Sequence, residues 1–259
     1  MSNSNVRFDL IASWAGFIVI LLAWHGISTL GLVAPETFPG PARVVASVAE
    51  SLSFGRVMEH IGTSLFRVIS GFGIGLIAGV VLGVVCGWYI DAGTVLRTPI
   101  ELLRPVPPLA WIPLAIMWLG VGEPSKLFVI FLGGFFPIFT NTYKGMLTIE
   151  PTVIRAGQMV GLRGWRLLLK VVVPMTLPDI ATGMRLGWSY SFGAMVAAEI
   201  IAANSGLGYM IMHGRELGLV GVIMFGIILI GTLNLLTDYV IQSLILKRFL
   251  RWHYAPEQK

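Results

Sequence analysis

Residues 68–90 read VISGFGIGLIAGVVLGVVCGWYI, and none of these 23 residues is Asp, Glu, Lys or Arg. About 20 predominantly apolar residues in a helix cross the hydrocarbon core of a bilayer, so this stretch predicts a transmembrane helix. A glycine recurs at every fourth position, at residues 71, 75, 79, 83 and 87. These glycines form a bare stripe along one side of the helix, which lets another helix approach closely. Packing against a helix of the same chain is the favoured interpretation, and a contact with a second subunit or a pore is the alternative.

Five further apolar runs occur in the rest of the chain. They cover residues 10–35, 105–122, 127–143, 175–203 and 217–246. The composition agrees with many membrane spans, because 56% of the chain is hydrophobic and only 12% is charged, whereas a soluble domain carries about 25% charged residues. The single cysteine, Cys86, excludes a disulfide-stapled secreted fold. We therefore predict an all-α integral membrane protein with six transmembrane helices.

The distribution of positive charge predicts the orientation in the membrane. Of the 18 Lys and Arg residues, 11 fall in loops and ends on one side of the predicted spans and four on the other. The side richer in Lys and Arg is the cytoplasmic one. Both termini of this multi-pass protein are therefore expected in the cytoplasm. A nucleic-acid-binding function is not expected, because no soluble basic module is present to carry it.

The fifth apolar run is unusual because it carries charged residues. Arg185 and Glu199 are 14 residues apart, which places them about 21 Å apart along a helix axis and about 40° apart around it. A charged side chain inside a span is costly unless it faces a cavity or a partner. The two residues therefore either line a solute path or extend towards opposite membrane surfaces, and the sequence leaves both interpretations open.

Residues 144–174, KGMLTIEPTVIRAGQMVGLRGWRLLLKVVVP, differ from an ordinary loop between spans. Pro151 suits the start of a helix, and Gly161 and Gly164 allow a sharp corner between two short helices. Pro174 is expected to end the segment. A folded loop of this length usually has a docking task, and the alternative is a basic anchor on acidic lipid headgroups.

The same loop resembles the EAA motif of ATP-binding-cassette (ABC) importer permeases, EAA-x3-G-x9-I-x-L-P. Arg155-Ala156-Gly157 stands at EAA, Gly161 at the glycine, and VVVP at 171–174 stands at the end of the motif. The spacing matches throughout. The departures are Arg155 for the acidic residue, Gly157 for the second alanine, and valines for Ile and Leu. In that family the segment is the coupling helix, which inserts into a cleft of the nucleotide-binding subunit.

Further segments resemble the permeases for taurine, aliphatic sulfonates and nitrate. They are ELLRPVPPLAWIP at 101–113, WLGVGE at 118–123, VAAEII at 196–201, GLGYM at 206–210 and LRW at 250–252. The resemblance extends over residues 55–254. It implies the type I permease fold of ABC importers, with six helices and a cytoplasmic coupling helix, in a bacterial inner membrane.

The resemblance also implies a domain organisation and a set of site residues. Residues 1–54 would form the N-terminal transmembrane helix and a periplasmic connection, 55–246 the permease core with its coupling loop at 147–174, and 247–259 a cytoplasmic tail. The residues expected to couple the permease to its ATPase are Arg155, Ala156, Gly157, Gly161, Leu162 and Arg163. The candidate residues of the translocation path are Arg104, Trp111, Arg185, Ser189 and Glu199.

The assembly that the resemblance implies has several partners. They are a second permease copy forming a homodimer, two cytoplasmic ATP-binding subunits, a periplasmic or lipid-anchored substrate-binding protein, and membrane lipid. The chain has no G-x-x-x-x-G-K-[ST] motif and is therefore not expected to hydrolyse ATP itself. ATP and Mg are expected on the ATPase subunit, and no cofactor, metal site or catalytic residue is expected in this chain.

The expected solute is a small anion, either taurine or an aliphatic sulfonate. Nitrate, bicarbonate, pyrimidines and riboflavin are alternatives for the same machinery. An ion-coupled secondary transporter would normally show an internal repeat and discontinuous helices in both halves, whereas this sequence has one proline-rich break without a counterpart. A membrane enzyme is not expected, because the four His residues are scattered and neither H-E-x-x-H nor G-x-S-x-G occurs.

Overall fold

The computed structural model describes residues 3–31 and 33–246, and all regular secondary structure in these ranges is helical. The α-helices are α1 (Asn3–Thr29), α2 (Pro41–Ser51), α3 (Phe54–Trp88), α4 (Ile90–Leu103), α5 (Ile112–Leu119), α6 (Glu123–Leu147), α7 (Pro151–Met159), α8 (Gly164–Leu167), α9 (Val173–Ala202), α10 (Leu207–Glu216) and α11 (Val220–Val240). A 3₁₀ turn (Pro108–Trp111) precedes α5, and π-helical segments precede α9 (Leu168–Val172) and follow α11 (Ile241–Leu246). The all-α fold is confirmed. The predicted tail at 247–259, with its LRW segment, lies outside the described residues.

Four of the described helical stretches are long and apolar enough to cross a bilayer. They are Phe54–Trp88, Glu123–Leu147, Gly164–Ala202 and Val220–Ser243. A fifth crossing results if α4 and the helical pair Pro108–Leu119 act as one broken span. α1 is not among these spans, although residues 10–29 of this helix contain no Asp, Glu, Lys or Arg. The described residues thus contain four or five spans, and the number six stays a prediction.

The proline-rich break predicted for the third span is present, but the apolar run 105–122 does not form a span by itself. α4 ends at Leu103, prolines follow at 105, 107 and 108, and the two helical pieces are bent by 91° relative to each other. Each proline lacks the amide donor that a continuing helix needs. The segment is therefore a broken pair of helices joined by a turn at residues 104–108, called the proline turn below.

The helices pack as two compact units. The first comprises residues 1–58 and 210–229. Within it, the indole nitrogen of Trp24 donates a hydrogen bond to the carbonyl oxygen of Pro39 at 3.1 Å, and Gly221 packs closely against Ser47. The second unit comprises, among the described residues, 59–209 and 230–246, and it contains the cavity and the polar cluster described below.

The glycine stripe of α3 packs against α6 in the second unit. A Cβ atom at Gly71 would lie 2.6 Å from Cγ2 of Ile130, and one at Gly83 would lie 2.7 Å from Cβ of Thr142. The same close approach to α6 occurs at the other three glycines of the stripe. Glycine is required along this line because any side chain would push the two helices apart. Packing within the chain, the favoured interpretation of the stripe, is confirmed.

A second line of small residues joins α6 to α9. A Cβ atom at Gly133 would lie 2.9 Å from the carbonyl oxygen of Tyr190, and one at Gly187 would lie 3.0 Å from the carbonyl oxygen of Gly134. The hydroxyl of Ser191 in α9 donates a hydrogen bond at 3.0 Å to a backbone carbonyl of α6. α3, α6 and α9 thus form a body of three closely packed helices with α6 in the middle.

The loop between α6 and α9 has the predicted corner. α7 begins at Pro151, and Gly161 and Gly164 have φ angles of 83° and 51°, a region that side chains disfavour. The expectation that Pro174 ends the segment is wrong. Pro174 is the second residue of α9, but helical structure already runs from Gly164 through the π-helical segment Leu168–Val172 into α9, so the proline lies inside a continuous helical stretch and does not end it. The corner therefore joins α7 to a long helix that extends away from it.

Candidate functional site

A cavity of about 700 Å³ lies between α6, α9 and the proline turn. Its volume falls within the range of small-molecule sites, about 300–1,000 Å³. Its polar lining consists of Arg104, Thr140, Asn141, Ser189 and Tyr190, and its apolar lining includes Leu109, Leu132, Phe136 and Leu186. No Asp or Glu belongs to the described residues that line it. The cavity therefore offers a small solute one positive charge, hydroxyl and amide groups, and an apolar wall.

Helical periodicity explains why the α9 residues share this cavity. The lining positions 186, 189, 193 and 197 recur three or four residues apart and so lie on one face of the helix. Gly193 and Ala197 have too little side chain to fill the space in front of that face. The proline turn supplies another wall and places Arg104 there.

Pro137 adds a backbone feature to the cavity wall. It lies inside α6 and has no amide hydrogen, so the carbonyl group of Gly133 lacks the donor that a regular helix provides. Asn141, one turn further on, donates a hydrogen bond from its side-chain nitrogen to the carbonyl oxygen of Pro137 at 2.8 Å. All three residues line the cavity. A largely apolar helix therefore presents polar groups to a solute in the cavity.

The cavity brings together two of the five predicted path residues, Arg104 and Ser189. Trp111 packs beside the phenylalanine cluster of α6, and its indole nitrogen is buried without a hydrogen-bond partner among the described residues. Arg185 is half exposed, and its guanidinium lies 3.7 Å from the carboxylate of Asp238. Neither Trp111 nor Arg185 lines the cavity, and their part in the path stays a prediction.

Glu199 does not line the cavity either and belongs to a separate group of polar side chains. We call this group the Arg67 cluster; it consists of Ser64, Arg67, Glu123, Lys126 and Glu199. Arg67 of α3 donates a hydrogen bond to Oε1 of Glu199 at 2.8 Å. Through two further nitrogens it donates to the carboxylate oxygens of Glu123, at 2.6 and 2.7 Å. The Arg67 side chain is 2% exposed and that of Glu199 is fully buried.

The remaining hydrogen bonds complete the Arg67 cluster. Lys126 donates to Glu123 at 2.7 Å, and Glu199 accepts hydrogen bonds from the Ser64 hydroxyl at 2.8 Å and from the Gly208 amide at 2.9 Å. Two cations balance two carboxylates. Buried charges persist only when they are paired and hydrogen-bonded, and Arg67 and Glu199 are both. These contacts indicate that Glu199 helps to hold helices together. The free-energy cost of its charge within a span is offset by pairing with Arg67 and not by exposure to a cavity.

Local patterns in the sequence did not reveal the partner of Glu199. Arg67 is 132 residues away along the chain, so no motif spacing connects the two. One signal was present, because Arg67 directly precedes the apolar run 68–90 on the side of the predicted spans where Lys and Arg are scarce. A charge in that position requires an opposite charge from another helix, and Glu199 provides it.

The predicted coupling residues lie around the corner of the loop. Arg155, Ala156, Gly161 and Arg163 are exposed, and Leu162 is half-buried. These side chains are therefore accessible to another subunit, and their role in coupling stays a prediction.

Gly157 differs from the other predicted coupling residues because it is buried against its own chain. A Cβ atom there would lie 2.7 Å from Cδ1 of Leu167, so the glycine lets α7 pack on α8. Two apolar side chains at the end of α7, Met159 and Val160, are 87% and 76% exposed. The EAA motif indicates neither residue, because both occupy unspecified positions between EAA and the glycine.

The family of binding-protein-dependent transport system inner membrane components matches residues 71–250. The match spans more than half of the chain, and the chain belongs to this family. The taurine transport system permease protein TauC of Escherichia coli is 33% identical over 240 residues, which are 91% of this chain and 87% of that protein. SsuC of the same organism, named as an aliphatic sulfonates transport permease, is 35% identical over 249 residues, which are 96% of this chain and 94% of that protein.

A solved structure supports the fold. A chain of the methionine ABC transporter MetNI in an inward-facing conformation has a TM-score of 0.59 and 16% sequence identity, and the match covers 73% of this chain and 96% of that chain. At this identity the likeness concerns the fold alone, which is the type I permease fold.

Family membership defines the class of protein. The chain is the membrane-embedded permease subunit of an ABC transporter, a multi-pass protein of the inner membrane. It is a transport subunit and not an enzyme, because ATP is hydrolysed by a separate subunit. The family also works with a substrate-binding protein, as its description states.

Proposed function

We propose that this chain imports a small sulfonate, either an aliphatic sulfonate or taurine, whose sulfonate is accompanied by an ammonium group, as a homodimeric permease that alternates between inward-open and outward-open states. The cavity beside the proline turn carries the proposal, because Arg104 is its cationic lining residue and no carboxylate lines it. A sulfonate is negatively charged throughout the physiological pH range, so a fixed positive charge attracts it. Two relatives named for taurine and aliphatic sulfonates support the same class of solute.

The lining suits an anion with a short carbon chain. The guanidinium of Arg104 has several N–H donors in one plane, which match an oxyanion group. Leu132 and Phe136 offer an apolar surface to the carbon chain, whose burial is favourable. Nitrate and bicarbonate have no carbon chain to use this surface, and riboflavin offers no negative charge to Arg104.

The end of α7 is the proposed contact with the ATPase. Met159 and Val160 are the most exposed apolar side chains there, and burying one of this size contributes about 1.5–3 kcal/mol. Arg155 and Arg163 lie beside them in sequence and are exposed. An apolar centre with basic neighbours suits a cleft of the ATPase on the cytoplasmic side, where both termini are also proposed to lie.

Uptake by the assembled complex tests the choice of solute. Two copies of this chain, the ATPase and the binding protein are reconstituted in vesicles, and uptake of labelled taurine and ethanesulfonate is measured with and without ATP. The expected result is ATP-dependent uptake that falls in Arg104→Gln and persists in Arg97→Gln, whose arginine lies outside the cavity. Uptake of nitrate, bicarbonate or riboflavin in place of every sulfonate contradicts the proposed solute.

The same vesicles test the energy source and the subunit number. An imposed proton gradient without ATP is expected to drive no uptake, whereas uptake under that gradient alone indicates an ion-coupled carrier. Mass measurement of the purified complex is expected to give two copies of this chain. A complex with one copy of this chain and one different permease contradicts the homodimer.

A further inference from the structure

The Arg67 cluster lies at the end of α9 remote from the coupling loop. Glu199 is 26 residues beyond Val173, where α9 begins, which corresponds to about 39 Å along a helix axis. The coupling loop joins the other end of the same continuous helical stretch, Gly164–Ala202. A displacement of α7 therefore reaches the Arg67 cluster through α9.

The Arg67 cluster fastens α3 to the start of α6 and to the last turn of α9 through one side chain. Arg67 belongs to α3, Glu123 begins α6, and Glu199 lies in the last turn of α9. One nitrogen of the guanidinium also donates to the carbonyl oxygen of Ser205, just beyond α9, at 2.6 Å. The guanidinium thus holds both carboxylates and a backbone carbonyl at once, which a lysine ammonium cannot reproduce in the same planar geometry.

Separating these helices in every transport cycle would be costly. Glu199 is fully buried and its cationic partner is 2% exposed, so separation would leave buried charges without a partner, which is strongly destabilising. Away from the Arg67 cluster, the glycine lines of α3 and of α6 with α9 keep the three backbones in close contact. Interfaces packed in this way change by discrete rearrangement and do not deform continuously.

We propose that Arg67 is a positioning residue that makes α3, α6 and α9 one rigid body, so that a displacement of α7 moves the three helices together throughout transport. The cavity walls supplied by α6 and α9 move as part of this body. The proposal rests on the proposed function in one respect, since it takes α7 as the point where the ATPase acts.

Distances between spin labels test the rigid body without any change in the Arg67 cluster. Labels are attached to cysteines at Phe66 and Ile201, which are exposed on α3 and α9, in a Cys86→Ser chain. Labelled chains are diluted with unlabelled ones in the reconstituted complex, so that distances within one chain are measured. The distance is expected to change by less than about 2 Å between the nucleotide-free and the ATP-trapped complex.

A label at Thr152 in both copies provides the matched control, because this residue is exposed in the first turn of α7 and lies outside the proposed ATPase contact at Met159 and Val160. The distance between the two copies at this position is expected to change on ATP trapping, which shows that the complex has moved. A change of several ångströms between positions 66 and 201 in a complex with normal ATP-driven uptake overturns the rigid body alone. No change at Thr152 together with no ATP-driven uptake in the unlabelled complex overturns the proposed function and, with it, this inference.

Coupling between ATP hydrolysis and transport tests Arg67 itself. In Arg67→Gln, uptake per ATP hydrolysed is expected to fall about 5-fold or more, because α9 no longer moves α3 and α6 with it. Arg67→Lys is expected to recover part of the ratio, and Arg97→Gln, which removes an exposed ion pair with Glu101, is expected to keep the wild-type ratio. A purely structural role would lower uptake and hydrolysis by the same factor, and an unchanged ratio in Arg67→Gln overturns the proposal.

Discussion

Arg67 lies in α3 and Arg104 in the proline turn, and the two arginines have opposite surroundings. Arg67 is 2% exposed and its guanidinium is held by Glu123 and Glu199. Arg104 is exposed and lines a cavity in which no described residue is acidic. An arginine whose charge is already neutralised within the chain holds helices together, whereas one that faces an acid-free cavity has its charge available for a solute. Residue type alone therefore does not distinguish an arginine that holds helices together from one that is available to a solute.

Removing Arg67 is expected to have the largest effect. Arg67→Met leaves the fully buried Glu199 without a cation, and the free energy of unfolding is expected to fall by about 3–5 kcal/mol. Denaturant or thermal unfolding of the purified permease in detergent measures the loss. Arg97→Gln breaks an ion pair whose partners are 48% and 44% exposed, and this control is expected to lose at most about 1 kcal/mol. Equal losses in the two variants contradict the fastening role.

Neutralising Arg104 is expected to affect transport and not stability. In Arg104→Gln, sulfonate uptake is expected to fall about 10-fold to 100-fold, because a hydrogen bond to a charged group is worth about 1.5–3 kcal/mol. The free energy of unfolding is expected to stay within about 0.5 kcal/mol of wild type. Unfolding and vesicle uptake are measured on the same preparation. A large loss of stability with unchanged uptake would reverse the roles assigned to the two arginines.

Gly71 lies on a tightly packed side of α3 and Gly73 on an open side, so substitutions at the two positions test the packing of this helix. A Cβ atom at Gly71 would lie 2.6 Å from Cγ2 of Ile130, whereas one at Gly73 would meet nothing within 4 Å. Gly71→Ala is expected to lower the free energy of unfolding by about 1–3 kcal/mol through overpacking. Gly73→Ala is expected to be neutral or stabilising, since alanine favours helix. Similar losses at both positions would mean that α3 and α6 are not tightly apposed.

The smallest expected effect concerns the end of α7. Met159→Ser is expected to weaken binding of the ATPase subunit by about 1 kcal/mol, roughly 5-fold, as for a contributing interface residue. Titration of the ATPase subunit onto the permease in nanodiscs measures the affinity. Val121→Ser alters a similarly exposed apolar residue, 79% against 87% exposed, in the segment between α5 and α6. Weaker binding in Val121→Ser and not in Met159→Ser would place the ATPase contact elsewhere.

Local patterns predicted much of the fold, because membrane helices obey local rules. Four of the six apolar runs, the glycine stripe and the corner at Gly161 and Gly164 depend on residues close together in sequence, and these features have their counterparts in the structure. Helix ends were less predictable. α3 begins at Phe54, 14 residues before the apolar run at Val68, because Arg67 and Ser64 find polar partners and so stay helical within the protein.

The candidate site was predicted only in part, because its parts meet through tertiary contacts. Arg104 and Ser189 are two of the candidate path residues, and the structure places both at one cavity. Glu199 is a candidate because it carries a charge within a span, but its partners Arg67 and Ser64 lie 132 and 135 residues away in sequence. Pro174 shows the same limit in the backbone, since it lies inside a continuous helical stretch although a proline is expected to interrupt a helix.

Access of a water-soluble thiol reagent to the cavity is the most direct test of the contrast between the two arginines. Ser189→Cys, in a Cys86→Ser chain, places a thiol on the cavity lining, whereas Ile77→Cys places one at an exposed apolar position of α3. We expect the charged reagent to modify position 189 much faster than position 77 in the assembled complex, and an excess of taurine presented with its binding protein to slow that reaction. Equal rates at the two positions, unaffected by taurine or any other sulfonate, would contradict a solute path at Arg104.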